Sequence, residues 1–436
     1  MMLKLSAVAF FVASSVAAFP SFGGYSERLA PIISSMEADI VPDSYFVVFK
    51  DGVRAEEHSA WVQDLHKRDL HVNGVWDSFN SGVKHVYDLG NFQGVAGRFR
   101  PDVLEEIRKN PAVAYVERDQ LVYASEIVTQ NRAPWGLARI SHRKGLTLGT
   151  FNKYDHNPNG GEGITVFVID TGISITHQEF EGRAAWGKTV PANNADRDDN
   201  GHGTHCAGTI ASRAYGVSKK AKVEAIKVLG SNGSGSMSDV VAGVEFAVKR
   251  HKALQAEQGA NYKGSVASMS LGGGKSRPLN TAITGAIRTG LHFAVAAGND
   301  NRDACDYSPA DVKDAVTVGA STIDDSRAYF SNFGDCVDIF GPGLDITSTW
   351  IGSDTAKNTI SGTSMATPHV AGLMAYYLSL APENGSAFHT GVATPLEMKK
   401  LLTSRGIHNI LTDEKGSPNV LIYNNAAEDK ERFYAW

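Results

Sequence analysis

Cysteine is scarce in this 436-residue chain, which holds only Cys206, Cys305 and Cys336. So few thiols exclude a disulfide-dense scaffold, in which bridges replace a hydrophobic core. Long apolar runs are missing after the first residues, so no later stretch reads as a membrane span. Basic blocks are missing too. The 42 Lys and Arg face 47 Asp and Glu, for a net charge of −5, and nothing in that balance suits nucleic acid or an anionic membrane as partner. There is no internal repeat and no low-complexity tract. What remains is an ordinary globular composition, 42% hydrophobic and 20% charged, long enough for two or three folded units with a large core.

Residues 1–18 read as a secretory leader: Lys4 gives the positive start, Leu5 to Val12 the apolar run, and Val16-Ala17-Ala18 a small-residue cleavage site. In the oxidising compartment this implies, three cysteines make one bridge and one free thiol. Cys206 lies inside the segment that holds His202 and is expected to be buried and unpaired, which leaves Cys305 and Cys336 as the bridge. In the loop-entropy picture such a bridge is worth about 3–4 kcal/mol.

Residues 19–41 carry Pro20, Gly23, Gly24 and Pro31 without a sustained period, and read as linker. From 42 to 124 the pattern is strand, helix, strand, strand, helix, strand, a small ferredoxin-like α+β unit. A polar, glycine-containing stretch over 124–163 reads as a connecting loop. From Gly163 onward strands and helices alternate, which predicts an α/β unit: a three-layer arrangement with a parallel sheet covered by helices on both faces. Ile164 to Ile169 is almost continuously apolar, as a strand buried on both sides should be. Thr394 and Pro395 are placed to cap and begin a late helix.

Three segments carry the chemistry: Val168-Ile169-Asp170-Thr171-Gly172, Gly201-His202-Gly203-Thr204-His205 and Gly362-Thr363-Ser364-Met365-Ala366-Thr367-Pro368. They supply an acid, a base and a nucleophile in the chain order Asp170, His202, Ser364. A serine hydroxyl attacks nothing at neutral pH until a base takes its proton, and that base must be oriented by a third group. Asp170 ends a buried strand, while His202 and Ser364 each begin a helix, so all three fall on the carboxyl edge of the sheet. Asn299 ends another apolar strand and is expected to donate its side-chain N–H to an oxyanion, together with the N–H of Ser364. Plainer readings exist for each residue alone: a turn Asp, an N-cap Ser, a zinc site from His202, His205 and Cys206. The zinc reading lacks the HExxH spacing and leaves Ser364 unexplained. The serine segment lacks the last glycine of G-x-S-x-G, which argues against a lipase or esterase.

These segments resemble the Asp, His and Ser signatures of the subtilase family. Ala133-Pro134-Trp135-Gly136-Leu137-Ala138-Arg139-Ile140, Asp199-Asn200-Gly201-His202-Gly203-Thr204-His205-Cys206 and Ser268-Met269-Ser270-Leu271-Gly272-Gly273-Gly274 narrow the resemblance to its proteinase K branch, and within it to fungal vacuolar proteinases of the cerevisin type. The resemblance implies a serine endopeptidase made as a zymogen. Residues 19–125 would be a propeptide with its inhibitor and chaperone domain over about 42–124, 126–425 the peptidase, and 426–436 a tail. Leu121-Val122-Tyr123-Ala124 would lie in the cleft before self-cleavage near Glu126. Gly233-Ser234-Gly235 and Ser270-Leu271-Gly272 would sandwich the substrate as an added strand. Ala296, Ala297 and Gly298 would line a primary specificity pocket for apolar or aromatic side chains. The expected partners are protein and peptide substrates and the chain's own propeptide, with the enzyme a monomer. No cofactor is needed for catalysis. A structural calcium is implied at Asp338, completed by backbone carbonyls near Lys313 and Ala315. Asn384 and, on the cleft wall, Asn232 are glycosylation sequons, with Asn384 favoured. The vacuole is the expected place, the extracellular medium the alternative. As base, His202 must be neutral, so activity should fall below a pKa of roughly 6–7.

Overall fold

The computed structural model describes residues 29–33, 40–73, 82–90, 92–120, 127–381 and 392–426. The expected leader, the cleavage segment 121–126, Asn384 and the tail beyond 426 lie outside them. Two compact units divide between Leu121 and Val122.

In the first unit the sheet runs Ile32–Ile33, Val113–Gln120, Ile40–Phe49, Gln93–Arg98, Gly82–Asp88. All pairings are antiparallel except that of Ile32–Ile33. Without that short strand, the order is the ferredoxin-like one expected. Helices Ala55–Asn73 and Pro101–Lys109 supply Val62 and Ile107 to a core with Val47, Val95 and Phe99. Ile32–Ile33 corrects the reading of 19–41 as linker throughout. Two residues carry no period, so only pairing with Val116 and Glu117 defines them as strand.

The second unit is built on a nine-stranded sheet, in the order Ile407–His408, Val420–Leu421, Ile339–Pro342, Val316–Ser321, His292–Ala296, Ser265–Met269, Thr165–Asp170, Lys222–Lys227, Ala184–Thr189. All neighbours are parallel except the first two strands. Thr165–Asp170 is buried along its whole length. Its alternation feeds two cores. Val166 and Val168 pack with Ile210, Val370 and Leu373 on one face. Phe167 and Ile169 pack with Val240, Val244, Leu279 and Ile283 on the other. Helices His202–Ala211 and Thr363–Ser379 therefore share one side, and Met237–Gln258 and Arg277–Ile287 the opposite side, giving the three layers expected.

The stretch 124–163 is not all loop. Val128–Asn131 pairs antiparallel with Lys153–His156, and Trp135–Ile140 is a buried helical turn. Elements of this length show no usable hydrophobic period. The last helix, Pro395–Arg405, begins as its sequence predicts. Thr394 Oγ1 accepts from the Glu397 N–H while the Glu397 carboxylate accepts from the Thr394 N–H, a capping box worth about 1 kcal/mol.

Chain order places the site. From Thr165–Asp170 the chain builds outward to Lys222–Lys227 and Ala184–Thr189 on one side, then continues from Ser265–Met269 on the other. The crevice beyond the carboxyl ends at such a reversal is where open α/β sheets bind ligands.

Candidate active site

Asp170 is the last residue of its strand and is fully buried. Its Oδ1 accepts from the Thr171 N–H at 2.7 Å and lies 2.7 Å from His202 Nδ1. A carboxylate can only accept, so Nδ1 carries the proton and the Nε2 lone pair of a neutral ring is free for a substrate-side proton. The loop between them is tied by Asp198, which accepts from the Thr171 and Thr204 hydroxyls at 2.9 and 2.6 Å and from three backbone N–H groups, of Asn200, Gly201 and Thr204. Lys227, fully buried, donates to the Thr171 carbonyl at 2.7 Å. Gly203 permits the close approach. A Cβ there would stand 2.2 Å from the Gly172 carbonyl oxygen.

Two effects oppose each other at His202. Burial alone lowers its pKa; the Asp170 carboxylate overrides this and holds it well above the ordinary 6.5. Cys206 lies beside the ring. Its thiol, 4.0 Å from His202 Nδ1, is pushed up by burial despite the nearby imidazole and is neutral near pH 7.

Ser364 stands at the start of helix Thr363–Ser379. That helix contains Pro368, which has no N–H to give the Ser364 carbonyl four residues earlier. The carbonyl instead accepts from the Ser270 hydroxyl at 2.9 Å and the Cys206 thiol at 3.4 Å. The Ser364 hydroxyl in turn donates to the Ser270 carbonyl at 3.1 Å. Its partner is thus the Ser270 carbonyl, one residue past the strand Ser265–Met269, and not the imidazole.

Asn299 is held by its oxygen. Oδ1 accepts from both the N–H and the hydroxyl of Thr363, at 2.8 and 2.9 Å. The amide hydrogens of Nδ2 are therefore the half left to donate. Asn332 fixes the preceding turn by donating to the Ala297 carbonyl at 2.9 Å and accepting from the Asp300 and Arg302 N–H groups. Gly298 there has φ +105°, and a Cβ would meet Asn332 Nδ2 at 2.3 Å.

The expected cleft residues come together. His202, Gly233, Ser234, Gly235, Ser270, Leu271, Gly272 and Ser364 line one cleft of about 400 Å³. Ala296, Ala297, Gly298 and Asn299 line an adjoining pocket of about 310 Å³ that also reaches Ser364. Leu229, Met237, Val240 and Leu279 form an apolar end of the first, and Tyr307 borders the second. Sequence reasoning missed these, as it missed Asp198, Lys227 and Asn332. An apolar residue that lines a cleft has the same sequence signature as one in the core.

Other expectations divide. Cys305 and Cys336 are bridged, with Cα atoms 5.2 Å apart, and Cys206 is free and buried. His205 does not join a metal set with His202 and Cys206: its Nε2 lies 2.9 Å from the Ile346 carbonyl. The geometry gathers Asp170, His202 and Cys206 instead, and burial pushes this thiol's pKa up. Asn232 is exposed, its Oδ1 accepting from the Ser234 N–H at 3.1 Å. The calcium expectation is corrected. The Asp338 carboxylate and the Lys313 and Ala315 carbonyls are all present, and all three are taken by the ammonium of Lys399.

Comparison with known proteins shows the family. The model of the subtilase family matches residues 161–420, and that of peptidase inhibitor I9 matches 44–125. A subtilisin-like protease of Coccidioides posadasii is 56% identical, over 91% of this chain and 83% of its own length. Alkaline protease 2 of Aspergillus fumigatus is 53% identical, over 97% and 88%. Among solved structures, a cold adapted subtilisin-like serine proteinase is 44% identical with a TM-score of 0.59, covering 67% of this chain and 99% of its own.

Proposed function

This chain belongs to the subtilase family and is a serine endopeptidase made as a zymogen, and on that footing we propose that Asp170, His202 and Ser364 carry its chemistry. The Ser364 hydroxyl turns from the Ser270 carbonyl to Nε2 of His202, gives up its proton and attacks the peptide carbonyl. Asp170 holds His202 with Nδ1 protonated and stabilises the imidazolium. His202 then passes the proton to the leaving amine, and water hydrolyses the acyl-enzyme by the same steps in reverse. Asn299 Nδ2 and the Ser364 N–H receive the oxyanion. The observation that carries this reading is the 2.7 Å contact between Asp170 Oδ1 and His202 Nδ1, in a cleft that His202 and Ser364 both line.

Gly233–Gly235 and Ser270–Gly272 offer main-chain groups on the two sides of that cleft, which suits an extended substrate paired as a strand. Ala296, Ala297 and Gly298 leave the adjoining pocket open to apolar and aromatic side chains. Residues 19–125 are the propeptide and 126–425 the peptidase, cut apart near Glu126, and the peptidase acts as a monomer. The leader sends the chain to the secretory route and the vacuole. Asn384 carries the glycan in preference to Asn232, where a glycan would obstruct the cleft. Each catalytic step uses groups of this chain alone.

Purified precursor is incubated beside a Ser364→Ala version. Only the unmodified chain should shed its first part and then digest casein. Shedding by both, in the absence of other protease, would refute the assignment. Immunolocalisation separates vacuole from medium.

A further inference from the structure

The Asp338 carboxylate and the carbonyls of Lys313 and Ala315 form the donor set that a hard cation takes from a protein, all oxygen and with one negative charge. They come from different elements. Lys313 and Ala315 lead into strand Val316–Ser321, and Asp338 leads into Ile339–Pro342. Lys399 arrives from the helix Pro395–Arg405. Its Nζ lies 2.8 Å from Asp338 Oδ1, 2.7 Å from the Lys313 oxygen and 2.8 Å from the Ala315 oxygen. An ammonium has three protons, and each of these has one acceptor. Asp338 Oδ2 accepts from the Thr317 N–H at 2.8 Å, so the carboxylate is satisfied on both oxygens. Burial pushes the Asp338 carboxyl up, and the Lys399 ammonium pulls it back toward the charged form.

We infer that Lys399 stands in this chain where a divalent cation would bind, and that its removal uncovers a calcium site. Calcium cannot share the place. It needs the same oxygens at 2.3–2.6 Å, which would set a double charge against the ammonium. The two cations differ in what they ask of the cell. The ion must be supplied and can be chelated or diluted away, whereas the lysine is covalently present at fixed stoichiometry. The clamp between the two strands is therefore independent of calcium concentration. It also ties the last helix to Val316–Ser321, the strand beside His292–Ala296, whose last residue lines the second pocket. None of this depends on the proposed roles of the catalytic residues.

The test uses the full chain with Ser364→Ala, so that self-digestion does not interfere, freed of metal with chelator and titrated calorimetrically with calcium chloride. Lys399→Ala should gain one calcium per chain, with a dissociation constant on the order of 10⁻⁴–10⁻³ M or tighter. Adding Asp338→Asn should abolish that gain. In the chain that keeps Lys399, Asp338→Asn should change calcium uptake not at all. The inference is overturned if Lys399→Ala takes up no more calcium than its parent, or if Asp338→Asn removes uptake from the parent. Should Lys399→Ala fold only when calcium is added, that recovery is itself the gain expected. Should it fold in neither condition, Lys399→Gln, of similar length and without charge, is measured by the same two criteria.

Discussion

Ser270 and Ser364 are joined by two reciprocal hydrogen bonds: the hydroxyl of each donates to the carbonyl of the other, at 2.9 and 3.1 Å. The first bond exists because Pro368 leaves the Ser364 carbonyl without a helical partner. One proline thus couples the backbone of Ser364 to a neighbouring segment of the cleft wall. Ser270→Ala should lower stability by about 1 kcal/mol, read by thermal unfolding of the inhibited enzyme. It should leave the pH profile unchanged, since it touches neither Asp170 nor His202.

The pH profile reports His202. The Asp170 carboxylate moves its pKa upward from the ordinary 6.5, against the lowering effect of burial. The base must be unprotonated, so log kcat/KM should rise with pH through that raised value. Asp170→Asn removes the charge that raises it, and should shift the limb to lower pH while cutting kcat by about 10⁴, as in other Ser-His-Asp enzymes. Stability runs the other way. The ion pair of His202 with Asp170 is fully present below the unfolded pKa of 6.5 and is lost as pH rises through the raised folded value. A rising limb centred at or below about pH 6 would contradict this account.

Asn299 is anchored through Oδ1 and is expected to act through Nδ2. Asn299→Ala should lower kcat by about 10²–10³ with KM little changed, since the oxyanion exists only beyond the ground state. Asn299→Asp keeps the acceptor for Thr363 but offers no donor, and should be no better. A rise in KM with kcat unchanged would instead indicate ground-state binding.

Ala296 is almost fully buried and lines the second pocket. Ala296→Val should narrow it and shift preference from aromatic toward small side chains by about 10–100-fold in kcat/KM. Peptides differing only at that position measure the change.

Much of this was legible in the chain. Asp170 and Asn299 follow from apolar strands, and His202 and Ser364 open helices, so their placement follows once strands and helices are read. Thr394 and Pro395 announce their helix by local chemistry. Short elements were not legible: Ile32–Ile33 and Trp135–Ile140 have too few residues for a period, and tertiary contacts define them. Lys399 shows a different limit. Asp338 matched a calcium ligand by local pattern, yet the cation that reaches it lies in a distant helix, and spacing along the chain does not reveal a contact across it. Asp198 and Asn332 escaped notice for the same reason. Their value lies in what they hold, not in a motif.

The central claim is that Ser364 is the nucleophile, activated by His202. Active enzyme is treated with a fluorophosphonate, and label and residual peptidase activity are followed together, with the site found by mass spectrometry. The account predicts one label per chain, on Ser364, with activity lost in proportion and no labelling of His202→Ala at the same rate. Full labelling of Ser364 with activity intact, or activity lost with the label elsewhere, would contradict it.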